Sequence, residues 1–99
     1  MLKIHKTIKN TEAVFELDGR LDTTTAPELE LELRQSLDGV ENLILDLEKL
    51  EYISSAGLRV LLLAVKLLHN KGTMKVVHAN DLVMEVFEVT GFSDILTIE

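Results

Sequence analysis

Short runs in which apolar and polar residues alternate recur along the chain, and this period of two is typical of strands that bury one face. Two short apolar runs near the C-terminus also favour strands. The five predicted strands are residues 2–9, 13–17, 43–47, 74–78 and 95–98. Only Asn10 and Thr11 separate the first two segments. A link of this length predicts that they pair as an antiparallel hairpin.

Three segments with helical spacing lie between the later strands. They are residues 26–38, residues 56–71 and a third segment that begins at Asn80 or Asp81 and ends at Gly91. Thr25 immediately precedes the first helix, and Glu28 lies three residues later in its first turn. This spacing predicts a capping box. The second helix carries apolar residues around most of its circumference, so we expect it to be mostly buried.

The predicted order is strand, strand, helix, strand, helix, strand, helix, strand. Strand–helix–strand connections are right-handed, so crossovers that all proceed in one direction place every helix on the same face of the sheet. The sequence therefore predicts an α/β fold with a mixed sheet of four to five strands and helices mainly on one face. No linker or repeat interrupts the pattern, and we expect residues 1–99 to form a single domain.

Composition narrows the classes of function. The formal charge is −7, from 17 acidic and 10 basic residues, which disfavours binding to nucleic acid or to an anionic membrane surface. There is no cysteine, the charged N-terminal segment does not resemble a signal peptide, and the longest apolar run, VLLLAV, is too short to span a bilayer. We therefore expect a cytoplasmic protein.

The sequence contains little that suggests an enzyme. His5, His69 and His78 lie on separate elements without the spacing of metal ligands, so neither a metal site nor another cofactor is expected. YISSAG lacks the glycines of the G-x-S-x-G nucleophile motif, and no Walker or Rossmann glycine loop is present. A small hydrolase that uses Ser55 as its nucleophile remains the enzyme alternative.

Ser54 and Ser55 stand at the predicted start of the second helix. A serine at such a position commonly accepts a hydrogen bond from an unpaired backbone N–H, which explains one hydroxyl. A phosphoserine would also be favoured there, because the exposed amides and the helix dipole attract an anion. The residues alone leave both interpretations open.

Four segments in the same order resemble the STAS family, and specifically the small bacterial anti-sigma factor antagonists. They are LDGRLDTTTAPEL, LILDL, LEYISSAGLRVLL and VFEVTGFSDIL, and together they extend over nearly the whole chain. The resemblance implies a STAS-like fold and a protein that binds an anti-sigma factor serine kinase while unphosphorylated. Phosphorylation would then release the kinase, and a PP2C-type phosphatase would reverse it.

The resemblance also implies which residues act. Ser55 is the expected phosphoacceptor and Ser54 the second choice, because this chain has Ser54 where many relatives have aspartate. The expected partner-binding residues are Asp22, Thr23, Ser54, Ser55, Ala56, Gly57, Leu58 and Arg59. We expect a monomer, with a weak dimer as the alternative. The alternative function is a STAS scaffold that is never phosphorylated and serves as a subunit of another signalling or transport assembly.

Overall fold

The computed structural model describes residues 1–99 and contains five strands, three α-helices and one short 3₁₀-helix. In chain order the elements are β1 (Leu2–Lys9), β2 (Glu12–Leu21), α1 (Ala26–Ser36), β3 (Asn42–Ile53), α2 (Ser55–Leu68), β4 (Thr73–Val77), α3 (Asp81–Thr90), the 3₁₀-helix (Phe92–Asp94) and β5 (Thr97–Ile98). The element order predicted from the hydrophobic pattern is confirmed.

The five strands form one mixed sheet in the order β1-β2-β3-β4-β5. β1 and β2 are antiparallel, and the three remaining neighbouring pairs are parallel. The turn between β1 and β2 consists of Asn10 and Thr11, and Asn10 has a φ of 58°, a left-handed conformation that asparagine tolerates. The predicted antiparallel hairpin is therefore confirmed.

One face of the sheet is buried and the other is open. Phe15, Leu45 and Val76 are fully buried on three neighbouring strands, and all three helices contribute residues to the same cluster of 25 buried side chains. The intervening positions are exposed or half-buried; Glu16 and Lys75, for example, are exposed, and Ile44 is half-buried. This burial pattern agrees with the prediction that the helices pack mainly on one face.

Two strands extend further than their alternation predicts. β2 continues from residue 17 to Leu21, and β3 from residue 47 to Ile53. The pairing of β2 with β3 shifts register twice in this region, and the consecutive exposed residues Glu48 and Lys49 interrupt the period of two. An irregularity of this kind moves later side chains to the other face, so a strict alternation pattern ends too early.

Two helices end earlier than predicted. α1 ends at Ser36 instead of residue 38, and α2 ends at Leu68 instead of residue 71. Asn70 has a φ of 64°, which is incompatible with a continuing right-handed helix. Apolar spacing alone does not reveal where the backbone leaves the helical conformation.

The N-terminal residue packs against the end of β2. Arg20 N donates a hydrogen bond to Met1 O at 3.4 Å. Gly19 has a φ of 118° and lies so close to Met1 O that a Cβ atom would collide with that oxygen. Glycine at this position therefore allows both the backbone conformation and the close approach of the first residue.

Candidate functional site

The C-terminal ends of β2 and β3 bring the two segments of interest together. Leu21 and Ile53 are register partners, and Ser54 N donates a hydrogen bond to Leu21 O at 2.9 Å. Residues 22–25 leave β2 at this point, and α2 begins immediately after Ser54. The loop that carries Asp22 and the helix start that carries Ser55 therefore lie side by side.

The two serines have different environments. Ser54 is half-buried and is the N-cap of α2, because its backbone is extended and its side chain accepts a hydrogen bond from Gly57 N at 3.3 Å. Ser55 is the first residue of α2, and its side chain is exposed and forms no hydrogen bond within the protein. Capping therefore explains Ser54 and leaves the Ser55 hydroxyl accessible.

The Asp22 carboxylate organises its own loop. Its Oδ1 atom accepts hydrogen bonds from Thr24 Oγ1 at 2.8 Å, Thr24 N at 3.0 Å and Thr25 N at 3.2 Å. The bond from the Thr24 hydroxyl is the largest of the influences that lower the pKa of Asp22 below its usual value. Asp22 is therefore an ionised group with a fixed orientation, and not a freely rotating loop carboxylate.

The expected capping box at Thr25 and Glu28 is wrong. Thr25 is buried, and its side chain caps no backbone N–H at the start of α1. Its hydroxyl instead donates to Arg20 O at 2.8 Å and accepts from Asp22 N at 2.8 Å. The hydroxyl thus joins the end of β2 to the start of the loop and is not available to cap the amides of α1.

A shallow cavity of about 200 Å³ lies between the N-terminal ends of α1 and α2, and we call it the α1–α2 groove. It is lined by Thr23, Ala26, Pro27, Glu30, Ala56, Arg59 and Val60. Arg59 is exposed and takes part in none of the ion pairs of the structure, whereas Glu30 pairs with Arg34 at 3.0 Å. The groove is thus bordered by one cation that has no ionic partner.

Two of the expected partner-binding residues lie inside the protein. Leu58 is only 4% exposed and belongs to the hydrophobic core. Gly57 is buried beneath β2 and β3, and a Cβ atom there would lie 2.8 Å from Leu21 Cγ and 2.9 Å from Ile53 Cγ1. Both residues therefore pack α2 against the core. They hold the start of the helix in place but do not themselves form part of the surface around Ser55.

A second polar cluster lies on the open face of the sheet. His78 Nδ1 is 3.0 Å from Asp46 Oδ1 and 4.0 Å from Glu48 Oε1. Partial burial raises the pKa of Asp46, but the hydrogen bond with His78 and other contacts outweigh it, so the net effect is a lowered pKa. The same hydrogen bond raises the pKa of His78. The pair therefore favours a protonated histidine beside an ionised carboxylate.

This cluster was missed by sequence reasoning, which considered the histidines only by their spacing along the chain. Ligand atoms of Asp46, Glu48 and His78 lie within 4.8 Å of one another, so these are the residues that could hold a metal ion. The parallel pairing of β3 with β4 aligns Asp46 with Val77 and thereby brings the next residue, His78, beside Asp46. No histidine hydrogen bonds to Ser54 or Ser55 in this structure.

The model of the STAS domain family matches residues 2–99. The chain belongs to the STAS domain family. A putative anti-sigma factor antagonist of Bordetella bronchiseptica, BtrV, is 42% identical over 84 residues, which cover 83% of this chain and 72% of that protein. The anti-sigma-B factor antagonist of Staphylococcus aureus is 30% identical and covers 98% of this chain and 92% of that protein. The predicted family is therefore confirmed.

Solved structures support the same fold. The crystal structure of an anti-sigma factor antagonist from Mycobacterium paratuberculosis superposes with a TM-score of 0.88 and 22% sequence identity, covering 99% of this chain and 85% of that one. The curated relatives that this chain matches are named anti-sigma factor antagonists, and neither of these names describes an enzyme. None of the helices has the length and apolar character needed to cross a lipid bilayer.

Proposed function

We propose that this protein is an anti-sigma factor antagonist whose binding is controlled by phosphorylation of Ser55. In the unphosphorylated form it binds an anti-sigma factor that is also a serine kinase, and the sigma factor is freed. The observation that carries this proposal is the difference between the two serines. Ser54 is engaged as the helix cap, whereas the Ser55 hydroxyl is exposed and unbonded at the first residue of α2.

Two further arguments favour this function. The relatives from Bordetella bronchiseptica and Staphylococcus aureus are named anti-sigma factor antagonists, and the Staphylococcus aureus protein aligns over almost the whole length of both chains. The resemblance described from the sequence also assigns the phosphoacceptor to Ser55. The partners of this proposal are therefore an anti-sigma factor serine kinase and a PP2C-type phosphatase in the cytoplasm.

The docking surface of this proposal consists of Thr23, Ser55, Ala56 and Arg59 together with the α1–α2 groove. Thr23, Ser55 and Arg59 are exposed, and Ala56 is half-buried. The loop before α1 is held in place by the hydrogen bonds of Asp22 and Thr25, so this surface is organised before a partner arrives. Preorganisation reduces the entropy lost on binding.

Phosphorylation would change this surface without unfolding the domain. The kinase would transfer the γ-phosphoryl group of ATP to Ser55 Oγ, releasing ADP and the hydroxyl proton. The product carries a charge of about −1.5 to −2 at neutral pH. The free amides of the first turn of α2 accommodate such an anion, while the ionised Asp22 loop next to it adds like charge.

A modest electrostatic penalty is enough to release the partner. Each loss of about 1.4 kcal/mol of binding free energy weakens a complex tenfold. Two or three such increments convert a micromolar complex into one that is negligible at cellular concentrations. The switch therefore needs no rearrangement of the sheet or of the helices, because the modified residue lies on the surface that binds.

The proposal is tested with three proteins and a kinase-type anti-sigma factor encoded near the gene of this chain. The parent, Ser55→Ala and Ser54→Ala are incubated with the kinase and ATP, and their intact masses are measured. We expect one phosphoryl group on the parent and on Ser54→Ala and none on Ser55→Ala. The Ser55→Ala variant should still bind the kinase, and ATP should no longer release it.

Other outcomes identify the alternatives. A phosphoryl group on Ser55→Ala that is absent from Ser54→Ala would move the assignment to Ser54. Binding of the parent without any phosphate incorporation would contradict the switch and would instead identify an unphosphorylated STAS scaffold. Ser55→Asp introduces a negative charge at the same position. This variant should bind the kinase more weakly than the unphosphorylated parent does.

A further inference from the structure

Arg59 lies one helical turn after Ser55 on α2. Residues four positions apart on a helix lie on the same face, with about 5–6 Å between their Cβ atoms. Both side chains are exposed, and the Ser55 hydroxyl has no hydrogen bond. The helix therefore places a long, flexible cation within reach of any group attached to Ser55.

No acidic residue of the protein holds Arg59 elsewhere. Glu30, which lines the same groove, is bound to Arg34 at 3.0 Å. The Asp22 carboxylate, in the neighbouring loop, accepts hydrogen bonds from Thr24 and from the backbone of Thr25. Arg59 is consequently held by no ion pair, and both the α1–α2 groove and Ser55 are its neighbours.

We propose that Arg59 senses the modification of Ser55. With unmodified Ser55 its guanidinium borders the α1–α2 groove and offers a cation to a carboxylate of the partner. With phosphorylated Ser55 the guanidinium turns to the phosphate and is withdrawn from the partner. This inference rests on the proposed function, because it takes Ser55 as the phosphoacceptor.

The chemistry favours this pairing. A planar guanidinium can donate two parallel hydrogen bonds to a phosphate, which an ammonium group cannot do. The acidic group precedes the basic one by four residues, which is the favourable order along a helix dipole. Phosphorylation would thus change the docking surface in two ways. It adds an anion at Ser55, and this anion pairs with Arg59, the only cation that lines the groove.

The matched control is Lys66, which is also an exposed basic residue of α2 outside the ion pairs of the structure. It lies near the opposite end of the helix from Ser55. Arg59→Gln and Lys66→Gln therefore remove the same charge from the same helix, and glutamine keeps a similar helix propensity. Only the first substitution removes the proposed partner of the phosphate.

The experiment uses phosphoserine that is incorporated at position 55 during translation, so it needs no kinase. The pKa of the phosphate is measured by ³¹P NMR in the parent, Arg59→Gln and Lys66→Gln. We expect a higher phosphate pKa in Arg59→Gln than in the parent, and the parent's value in Lys66→Gln. The melting temperature of the phosphoserine form, relative to that of the serine form, should also be lower by about 2 °C in Arg59→Gln than in the parent, and should not change in Lys66→Gln.

Equal phosphate pKa values in all three proteins, or equal changes in both variants, would overturn the inference. Arg59→Lys should restore part of the effect, because it keeps the charge but loses the paired donors. These results do not depend on whether a kinase modifies Ser55, which the mass measurement above decides. Failure of the Arg59 pairing and failure of the phosphorylation switch are therefore distinguishable.

Discussion

Replacing Gly57 by alanine should destabilise the protein through a collision with its core. The residue lies in the first turn of α2 and faces the ends of β2 and β3. A Cβ atom would lie 2.8 Å from Leu21 Cγ, 3.0 Å from Leu21 Cδ2 and 2.9 Å from Ile53 Cγ1. Leu21 and Ile53 are both at most 2% exposed, so neither side chain can move aside into solvent.

The magnitude follows from two opposing effects. Inserting a methyl group into a well-packed core costs about 1–3 kcal/mol. Alanine in place of a helical glycine recovers at most about 1 kcal/mol, and less in the first turn, where the helix is not yet fully formed. We therefore expect Gly57→Ala to lower the free energy of unfolding by about 1–2 kcal/mol.

Urea denaturation followed by circular dichroism measures this loss, and a double-mutant cycle identifies its cause. Leu21→Ala removes two of the three nearest atoms, Cγ and Cδ2 of Leu21, and should by itself cost about 2–5 kcal/mol. In the double variant the added methyl group occupies part of the space that Leu21 vacates, so the combined loss should be smaller than the sum by about 1 kcal/mol. An additive result, or a Gly57→Ala variant as stable as the parent, would refute this reasoning.

Two further predictions concern the polar residues. Ser54→Ala removes the cap hydrogen bond, which is long at 3.3 Å. We therefore expect the free energy of unfolding to fall by about 0.5–1 kcal/mol and the melting temperature by about 2–6 °C. Ser55→Ala should change the melting temperature little. Calorimetry of both variants decides this, and equal losses would contradict the assignment of the cap. For the Asp46–His78 pair, the raised pKa of His78 and the lowered pKa of Asp46 stabilise the fold fully only between the ordinary pKa values of the two groups, 3.8 for the aspartate and 6.5 for the histidine. The parent should have a higher free energy of unfolding than His78→Asn in this window. The difference should decline as the pH rises through the pKa of His78 and as it falls through that of Asp46. A difference that does not depend on pH from 4 to 9 would exclude the ion pair.

The alternation of apolar and polar residues predicted the strands in their correct order, because each strand buries one face and exposes the other. Leu43, Leu45 and Leu47 alternate with less buried residues, and the structure buries all three. The same rule failed where the backbone becomes irregular. Beyond residue 47 the consecutive exposed residues Glu48 and Lys49 shift the register, which depends on the pairing between β2 and β3 and not on the sequence of either strand alone.

The candidate site was predictable in its location but not in its hydrogen bonding. Two serines before an apolar run identify the start of a helix, but the backbone conformation of Ser54 decides which hydroxyl is the cap. Thr25 had the correct spacing for a capping box and instead bonds to Arg20 O across the loop. The contact of His78 with Asp46 joins neighbouring strands, and the spacing along one chain contains no such information.

The position of Met1 beside Arg20 has a practical consequence for anyone who studies this protein with a fusion tag. Arg20 lies two residues before Asp22, so a tag joined in front of Met1 would emerge next to the loop of the docking surface. Glu99 N instead bonds to Val76 O, and the Glu99 carboxylate pairs with Lys75 at the other edge of the sheet. Affinity and labelling tags should therefore be attached after Glu99, which follows the strand at the opposite edge of the sheet from β1.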